Sequence, residues 1–416
     1  MKRSEWANRG INYLFVLFAF IMPIITPTTN GVMILLILLW IIEGRWKDKF
    51  EILNGSPAFK LYAAFILLLG LSLFWSGGID GGFTRNDANA VEYYFRRYIF
   101  GFILIPMILT SVKKTFIPYI ISAFLAAMFI SEMMSWGIYM EWITYKDIPA
   151  HDPSPFMSHS LYSIFLAVTV FVLMTRFFQT ERFYYRIFIA LFALSAMVNL
   201  FLNGGRLGQL AFFVALFVYI VLRYRVTFKS ISLSILSIGL IFVSAYTVSP
   251  IFQKRMNLSL KSLEKITKGD YNSSWGVRVN ILRVSKDIVI ENPILGIGIG
   301  NTKTEFLEKA KEYDQTGFFP KLDHLHNGYM QILVETGLVG LFLFLSFLFL
   351  LLRLDIPRDS FILLSIVITI YLVGFIGEPL FFNSKPYLLF NLFMALIMLE
   401  SLSGREVRGK RDALSR

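Results

Sequence analysis

Long apolar stretches almost free of charge recur from residue 12 to residue 402. Crossing about 30 Å of hydrocarbon takes about 20 helical residues, and in lipid every backbone N–H and C=O must find its partner within the chain. Only helices or a closed barrel meet that demand, and the apolar–polar alternation of barrel strands is absent here, so the runs read as helices. A hydrophobic share of 56% and a mean hydropathy of +0.62 are far above what a water-soluble domain carries. The expected fold is all-α: a polytopic membrane protein with about twelve transmembrane helices.

The spans are expected near residues 12–28, 30–43, 59–76, 97–112, 115–139, 158–175, 185–203, 207–223, 229–248, 327–352, 359–377 and 386–402. Pro23 and Pro27 are expected to kink or shorten the first. Lys2, Arg3 and Arg9 precede it with no small-x-small cleavage pattern behind, so it reads as a retained signal anchor. The chain divides into residues 1–248 with nine spans, a loop domain at 249–325, three more spans in 326–404, and a basic tail at 405–416.

Lys and Arg set the orientation. The N-terminus, Arg45, Lys47, Lys49, Lys60, Lys113, Lys114, Arg176, Arg182, Arg186, Arg223, Arg225, Lys229 and the tail cations (Arg405, Arg408, Lys410, Arg411) share one side if there are twelve spans, and that side is the cytoplasm. The net charge of +12 is thus accounted for by topology and contact with anionic membrane lipids, and gives no support to a nucleic-acid partner. The absence of cysteine excludes disulfides and thiol chemistry. The segment 249–325 is basic yet falls on the outer side, as long segments cross largely regardless of charge. Residues 257–268 and 304–313 read as surface helices. In 277–290, Val277, Ile281, Val284 and Ile288 form a stripe suited to lying on the membrane surface.

Inside the spans the clear ionisable residues are Glu132 and Glu335, which argues against an ion-coupled transporter with charges at the midplane. Polar chemistry gathers at the outer face instead: Arg96, Arg97, Arg206, Arg278, His324 and His326. Two glycines precede Arg206 in NGGRLG and permit a tight turn at the membrane boundary. Arg96 and Arg97 stand among Tyr93, Tyr94 and Tyr98, as an interfacial belt or as phosphate ligands. His151 and His159 flank the proline-broken loop HDPSPFMSH and read as loop surface. GIGIGN, residues 296–301, lacks the spacing and βαβ context of a dinucleotide loop, and reads as a turn after Asn292-Pro293 re-entering toward the membrane.

The stretch DHLHNGYMQILVETGLVG, residues 323–340, carries two of the four histidines. If its helix runs back to His326, Gly337 and Gly340 share that face and let a neighbouring backbone approach closely. Asn327 or Asp323 is placed to cap the helix start, and the positive end of the helix dipole favours the uncharged imidazole.

His326-Asn327, nine residues, Gly337, two residues, Gly340 resembles the signature of the O-antigen ligase and polymerase superfamily, His-(Asn/Ser/Gln)-x9-Gly-x2-(Gly/Thr/Tyr), with His324 completing an HxHN form. The Arg-x3-Leu element of the ligase branch has two counterparts, Arg206 to Leu210 and Arg278 to Leu282. The resemblance implies a GT-C-like fold with a large periplasmic loop in the bacterial inner membrane, both termini cytoplasmic and the active site periplasmic. It implies an undecaprenyl-diphosphate-linked glycan as donor, the lipid A core as acceptor, and no cofactor.

The residues suit that chemistry. An alcohol displacing a diphosphate from a sugar carbon needs a base and a stabiliser of the leaving group. His326 is the candidate base. Arg206 and Arg278 are the candidate diphosphate clamp, since guanidinium holds phosphoryl oxygens in a planar fork. His324, Asn327, Arg96 and Arg97 are candidate substrate contacts. No metal is then required, and the Asp87, Glu92 region is too loosely spaced to hold one. The alternatives are an O-antigen polymerase of the same superfamily, whose Arg-x10-Gly elements are not matched by Arg206, Arg278 or Arg283, and a lipid-linked glycan flippase, against which the nearly charge-free spans weigh.

Overall fold

The computed structural model describes residues 3–76, 90–313, 319, 322 and 324–414, with residues 3, 312 and 403–414 described by backbone alone. Lys2, Arg85, Asp87, Asp323 and the side chains of the tail cations therefore lie outside the described residues.

The described residues form helices and no strands. The first four are α1 (Arg3–Ile21), α2 (Thr26–Glu43), α3 (Trp46–Asn54) and α4 (Pro57–Leu71). A π-helical run, Tyr94–Ile99, continues through Phe100–Phe102 into α5 (Leu104–Ser111). Then come α6 (Ile117–Tyr139), α7 (His159–Gln179), α8 (Phe183–Leu202), α9 (Arg206–Tyr224), α10 (Phe228–Val248), α11 (Pro250–Thr267), α12 (Ser274–Glu291), α13 (Thr302–Lys309), α14 (Gly328–Leu351), α15 (Arg358–Gly374) and α16 (Ser384–Leu414). Among the described residues nine helices are long and apolar enough to cross a membrane. The remaining expected spans also have helices: α1 with its charged start, the interrupted segment ending in α5, and the shorter α15. The protein is a multi-pass, all-α membrane protein.

The first span stops early, before Pro23, as expected, and Pro27 opens the next helix. The chain leaves α1 at Ile21, and Pro27 sits in the first turn of α2. Its missing N–H would be unpaired at that position in any residue. The two helices then pack along each other.

The helix ending in the tail forms the centre: 89% of its window Ser384–Leu402 is buried, against 11% for α10, whose Leu236, Leu240 and Val243 face outward. Several polar atoms buried with it are paired, although Asn391 Nδ2 has no hydrogen-bond partner among the described residues. The Tyr62 hydroxyl donates to Asn391 Oδ1 at 2.9 Å and lies 3.0 Å from the Tyr387 hydroxyl.

The stripe on α12 does not lie on a membrane surface. Ile281, Val284 and Ile288 are fully buried and pack with Phe306 of α13, Leu325 and Val334. The stripe thus closes a small second core between α12, α13 and α14.

The decisive local feature is in α14. Gly337 has φ 63° and ψ −162°, a conformation close to glycine's alone, so the helix is interrupted there. The turn 293–298 enters the gap. Leu338 N–H donates to Pro293 O (2.8 Å) and Val339 N–H to Ile294 O (3.2 Å), while Ile297 N–H donates to Val334 O (2.8 Å) and Gly298 N–H to Glu335 O (3.1 Å). These two N–H groups and two carbonyls would bond each other in an unbroken helix, so the inserted turn satisfies all four. On its other side the turn meets α4, with Ile299 N–H on Ser72 Oγ at 3.1 Å. The re-entrant reading of GIGIGN agrees with this path. The shared-face reading of Gly337 does not: the close backbone approach is real, but it comes from a loop in a broken helix. A Cβ at 337 would sit 2.2 Å from Ile294 O; at Gly340 it would meet Thr336 Oγ1 at 1.9 Å.

Gly337→Ala is accordingly expected to destabilise the chain by at least about 2 kcal/mol through backbone strain and the clash with Ile294. Gly239→Ala on α10, where an added methyl meets nothing within 4 Å, should change stability by less than about 1 kcal/mol. Thermal melts in detergent compare the two; equal melting temperatures would contradict the role given to Gly337.

Candidate active site

The histidines owe their position to the start of α14. Asn327 is its N-cap, with Oδ1 accepting Met330 N–H at 2.9 Å. Its Nδ2 donates to Ile376 O at 3.0 Å, and Gly328 N–H donates to Phe375 O at 2.7 Å. A Cβ at 328 would collide with the Phe375 ring at 2.6 Å, so glycine lets the helix start seat against the end of α15. The helix therefore does not reach back to His326, which lies outside it with φ 47°, a left-handed conformation that strains a non-glycine residue. Asn327 ends the helix by taking the capping position.

The strained turn sets the two imidazoles side by side, with ring centroids 4.3 Å apart, against a residue the sequence reading overlooked. Glu378, in the loop after α15, places Oε1 3.3 Å from His324 Nε2 and Oε2 3.3 Å from His326 Nδ1. Burial alone would raise the Glu378 carboxyl; hydrogen bonds from His324 and His326 outweigh it and hold it at about 2, so it is a carboxylate at neutral pH.

The hydrogen bonds also assign the ring protons. His324 Nδ1 accepts His326 N–H at 3.2 Å, which places the His324 proton on Nε2, toward Glu378. A proton on His326 Nδ1 pointed at Glu378 leaves the Nε2 lone pair of His326 as the free base. His324, His326 and Glu378 are a group whose ligand atoms lie within 4.8 Å of one another, near enough for a metal ion. The donor set does not fit one well. Metal-bound histidine donates through its other ring nitrogen, whereas that nitrogen of His324 is an acceptor.

The arginines come from other elements. Arg206 opens α9 after the turn 203–205, where Gly205 N–H bonds Asn203 Oδ1 at 2.8 Å and Gly204 N–H bonds Asp152 Oδ1 at 2.9 Å. Its guanidinium donates to Ser259 Oγ of α11 at 2.7 Å and Ser274 Oγ of α12 at 3.1 Å. Arg278 of α12 donates to the same Ser274 hydroxyl at 2.9 Å, and both guanidiniums lie 5.9 Å from the Trp275 ring. They line one cavity of about 200 Å3 together with His159, Arg255, Trp275 and Glu378. His326 does not itself line that cavity; its partner Glu378 does. A second cavity, about 210 Å3, is lined in part by His324, Gln331 and Glu335.

The remaining expected contacts stand further out. Arg97 donates to Phe382 O at 2.6 Å and lies over the Phe382 ring, which touches His324 at 5.1 Å between centroids. Arg96 is exposed and pairs with Glu92 at 3.1 Å. His159, read as loop surface, lines the arginine cavity instead. Glu378 carried one faint signal: an acid in the short apolar loop FIGEPLFF at the end of an expected span.

Residues 188–345 match a family model described as O-Antigen ligase. That segment is similar to the O-antigen ligase family. It holds both arginines, both clustered histidines, Asn327 and the two glycines, whereas Glu378 and His159 fall outside it. The chain is 23% identical over 301 residues to "Teichuronic acid biosynthesis protein TuaE" of Bacillus subtilis, covering 69% of this chain and 58% of that one. It is 25% identical over 233 residues to a "Putative polysaccharide ligase" of Rickettsia conorii, covering 49% and 55%. A protein of the same name from Rickettsia bellii is 28% identical over 187 residues, covering 39% and 46%. The ligase-like chain thus spans about half the length of the curated relatives it matches.

Glu378 gives the chain a measurable acid response. Its carboxyl, ordinarily near 4.5, is held at about 2 in the folded chain, so it favours folding only while ionised. That contribution is complete above pH 4.5 and disappears as the pH falls toward 2. The wild-type melting temperature in detergent should drop more steeply through this window than that of Glu378→Gln; parallel curves would contradict the assigned ion pairing.

Proposed function

We propose that the protein joins a glycan carried on undecaprenyl diphosphate to a sugar hydroxyl of an acceptor at the outer face of the bacterial inner membrane. Lipid A core is the acceptor that the family resemblance favours. The observation that carries this reading is an imidazole–carboxylate pair, His326 and Glu378, whose carboxylate borders a cavity walled by Arg206 and Arg278.

Glu378 accepts from His326 Nδ1 and keeps the ring oriented with Nε2 free, the role a buried carboxylate plays beside a catalytic histidine. As the acceptor hydroxyl attacks the anomeric carbon, its proton passes to His326 Nε2. The new sugar–oxygen bond forms while the bond to the diphosphate oxygen breaks, and the electron pair leaves with the diphosphate. Arg206 and Arg278 hold the charge that develops there. A single displacement inverts the anomeric carbon, and the step calls on no metal.

The similarity to the Bacillus subtilis protein named for teichuronic acid biosynthesis favours a second reading with the same chemistry: growth of a polysaccharide chain in place of capping a core. One assay separates them, using purified protein, an undecaprenyl-diphosphate glycan and lipid A core without nucleotide or added metal. Capped core supports ligation, chain growth without core supports polymerisation, and vesicle translocation without transfer supports a flippase and overturns both. His326→Ala and Arg278→Ala are expected to lower transfer at least about 100-fold while the protein still inserts into the membrane. Wild-type transfer in either variant would contradict the roles assigned.

A further inference from the structure

The arginine cavity has further polar lining residues. His159, the first residue of α7, places Nδ1 2.8 Å from Asp152 Oδ2. The other Asp152 oxygen takes Gly204 N–H, and Arg255 Nη2 lies 3.8 Å from Oδ2. A Cβ at Gly204 would stand 2.7 Å from Arg255 Nη2, so the glycine makes room for this guanidinium beside the turn that presents Arg206. Arg255 lies on α11 one turn before Ser259, the residue that accepts from Arg206. His159, Arg255, Arg206 and Arg278 thereby face a single cavity.

A charge count shows why these further residues matter. Arg206 and Arg278 share the cavity with the Glu378 carboxylate, so these three together offer a net of one positive charge to a dianionic leaving group. Asp152 is an ionised acid: burial would raise its carboxyl, but the bonds from His159 and Gly204 N–H and the nearby Arg255 keep it below its ordinary value. It accepts from His159 Nδ1, which leaves Nε2 as the atom available to a ligand, and a protonated ring donates from it. These residues add the Arg255 guanidinium and the His159 ring to the contacts open to a diphosphate.

We propose that His159 and Arg255, braced by Asp152, bind one phosphoryl group of a diphosphate whose other phosphoryl group meets Arg206 and Arg278. This rests on the reading of the cavity as the place where the diphosphate departs. A purely bracing role for the His159–Asp152 pair requires the opposite result, an unchanged diphosphate affinity when His159 is replaced.

The test is calorimetric titration of the purified full chain in detergent with inorganic diphosphate as probe. Wild type should bind, Arg278→Ala should weaken binding about tenfold or more, and His159→Ala and Arg255→Gln should each weaken it about fivefold or more. Melting temperatures accompany each titration. Should His159→Ala fail to fold, His159→Gln and Arg255→Gln carry the same comparison. Wild-type affinity in the His159 and Arg255 variants alongside a loss in Arg278→Ala overturns the role given to His159 and Arg255 and leaves the proposed reaction standing. Absence of binding by wild type, or undiminished binding by Arg278→Ala, overturns the diphosphate cavity itself and that role with it.

Discussion

Backbone hydrogen bonding inside a low-dielectric bundle governs this structure, and its sharpest expression is the exchange of four bonds at the interruption of α14. An open helix turn within a membrane protein persists only if other groups take up the freed N–H and C=O. Here a loop does so, and the consequence reaches the site. The loop is continuous with α12, which carries Arg278, and α14 begins at the histidine turn. Docking one against the other fixes the separation of the guanidinium and the imidazole, which are far apart in the chain.

The same logic of paired burial operates at the site. A lone carboxylate in the position of Glu378 would be costly, but two imidazoles and a neighbouring guanidinium make its ionised form the stable one. In return the carboxylate orients both rings. The strained backbone of His326 is held by structure around it: the Asn327 cap, the Gly328 bond to Phe375 and the Leu325 N–H on Gln331 Oε1. Strain maintained by several independent contacts is characteristic of positions kept for chemistry.

Comparison of residues shows which features could be read along the chain. The apolar runs predicted the helices because hydrophobic length is a local property, and the His-Asn…Gly…Gly pattern pointed to the right stretch because its spacing lies within one segment. The N-cap at Asn327 was visible as residue chemistry at a helix start. Glu378 was not, since it meets His326 across 52 positions, and Asp152 meets Gly204 across the same distance. His159 looked like loop surface because nothing in HDPSPFMSH discloses that the loop folds onto the turn before Arg206. The stripe on α12 had the right residues and the wrong expected partner, since periodicity states that a face is apolar without stating what covers it.

By itself, then, the order of residues determined an all-helical membrane bundle and the presence of imidazole and guanidinium groups, because hydrophobicity, capping and spacing act over a few turns of chain. Only tertiary packing decided that α14 would open at Gly337, that a carboxylate would sit between two histidines, and that residues from α7, α9, α11 and α12 would wall a common cavity. Those outcomes depend on hydrogen bonds and charge pairs between remote segments, whose partners exist only once the helices have assembled.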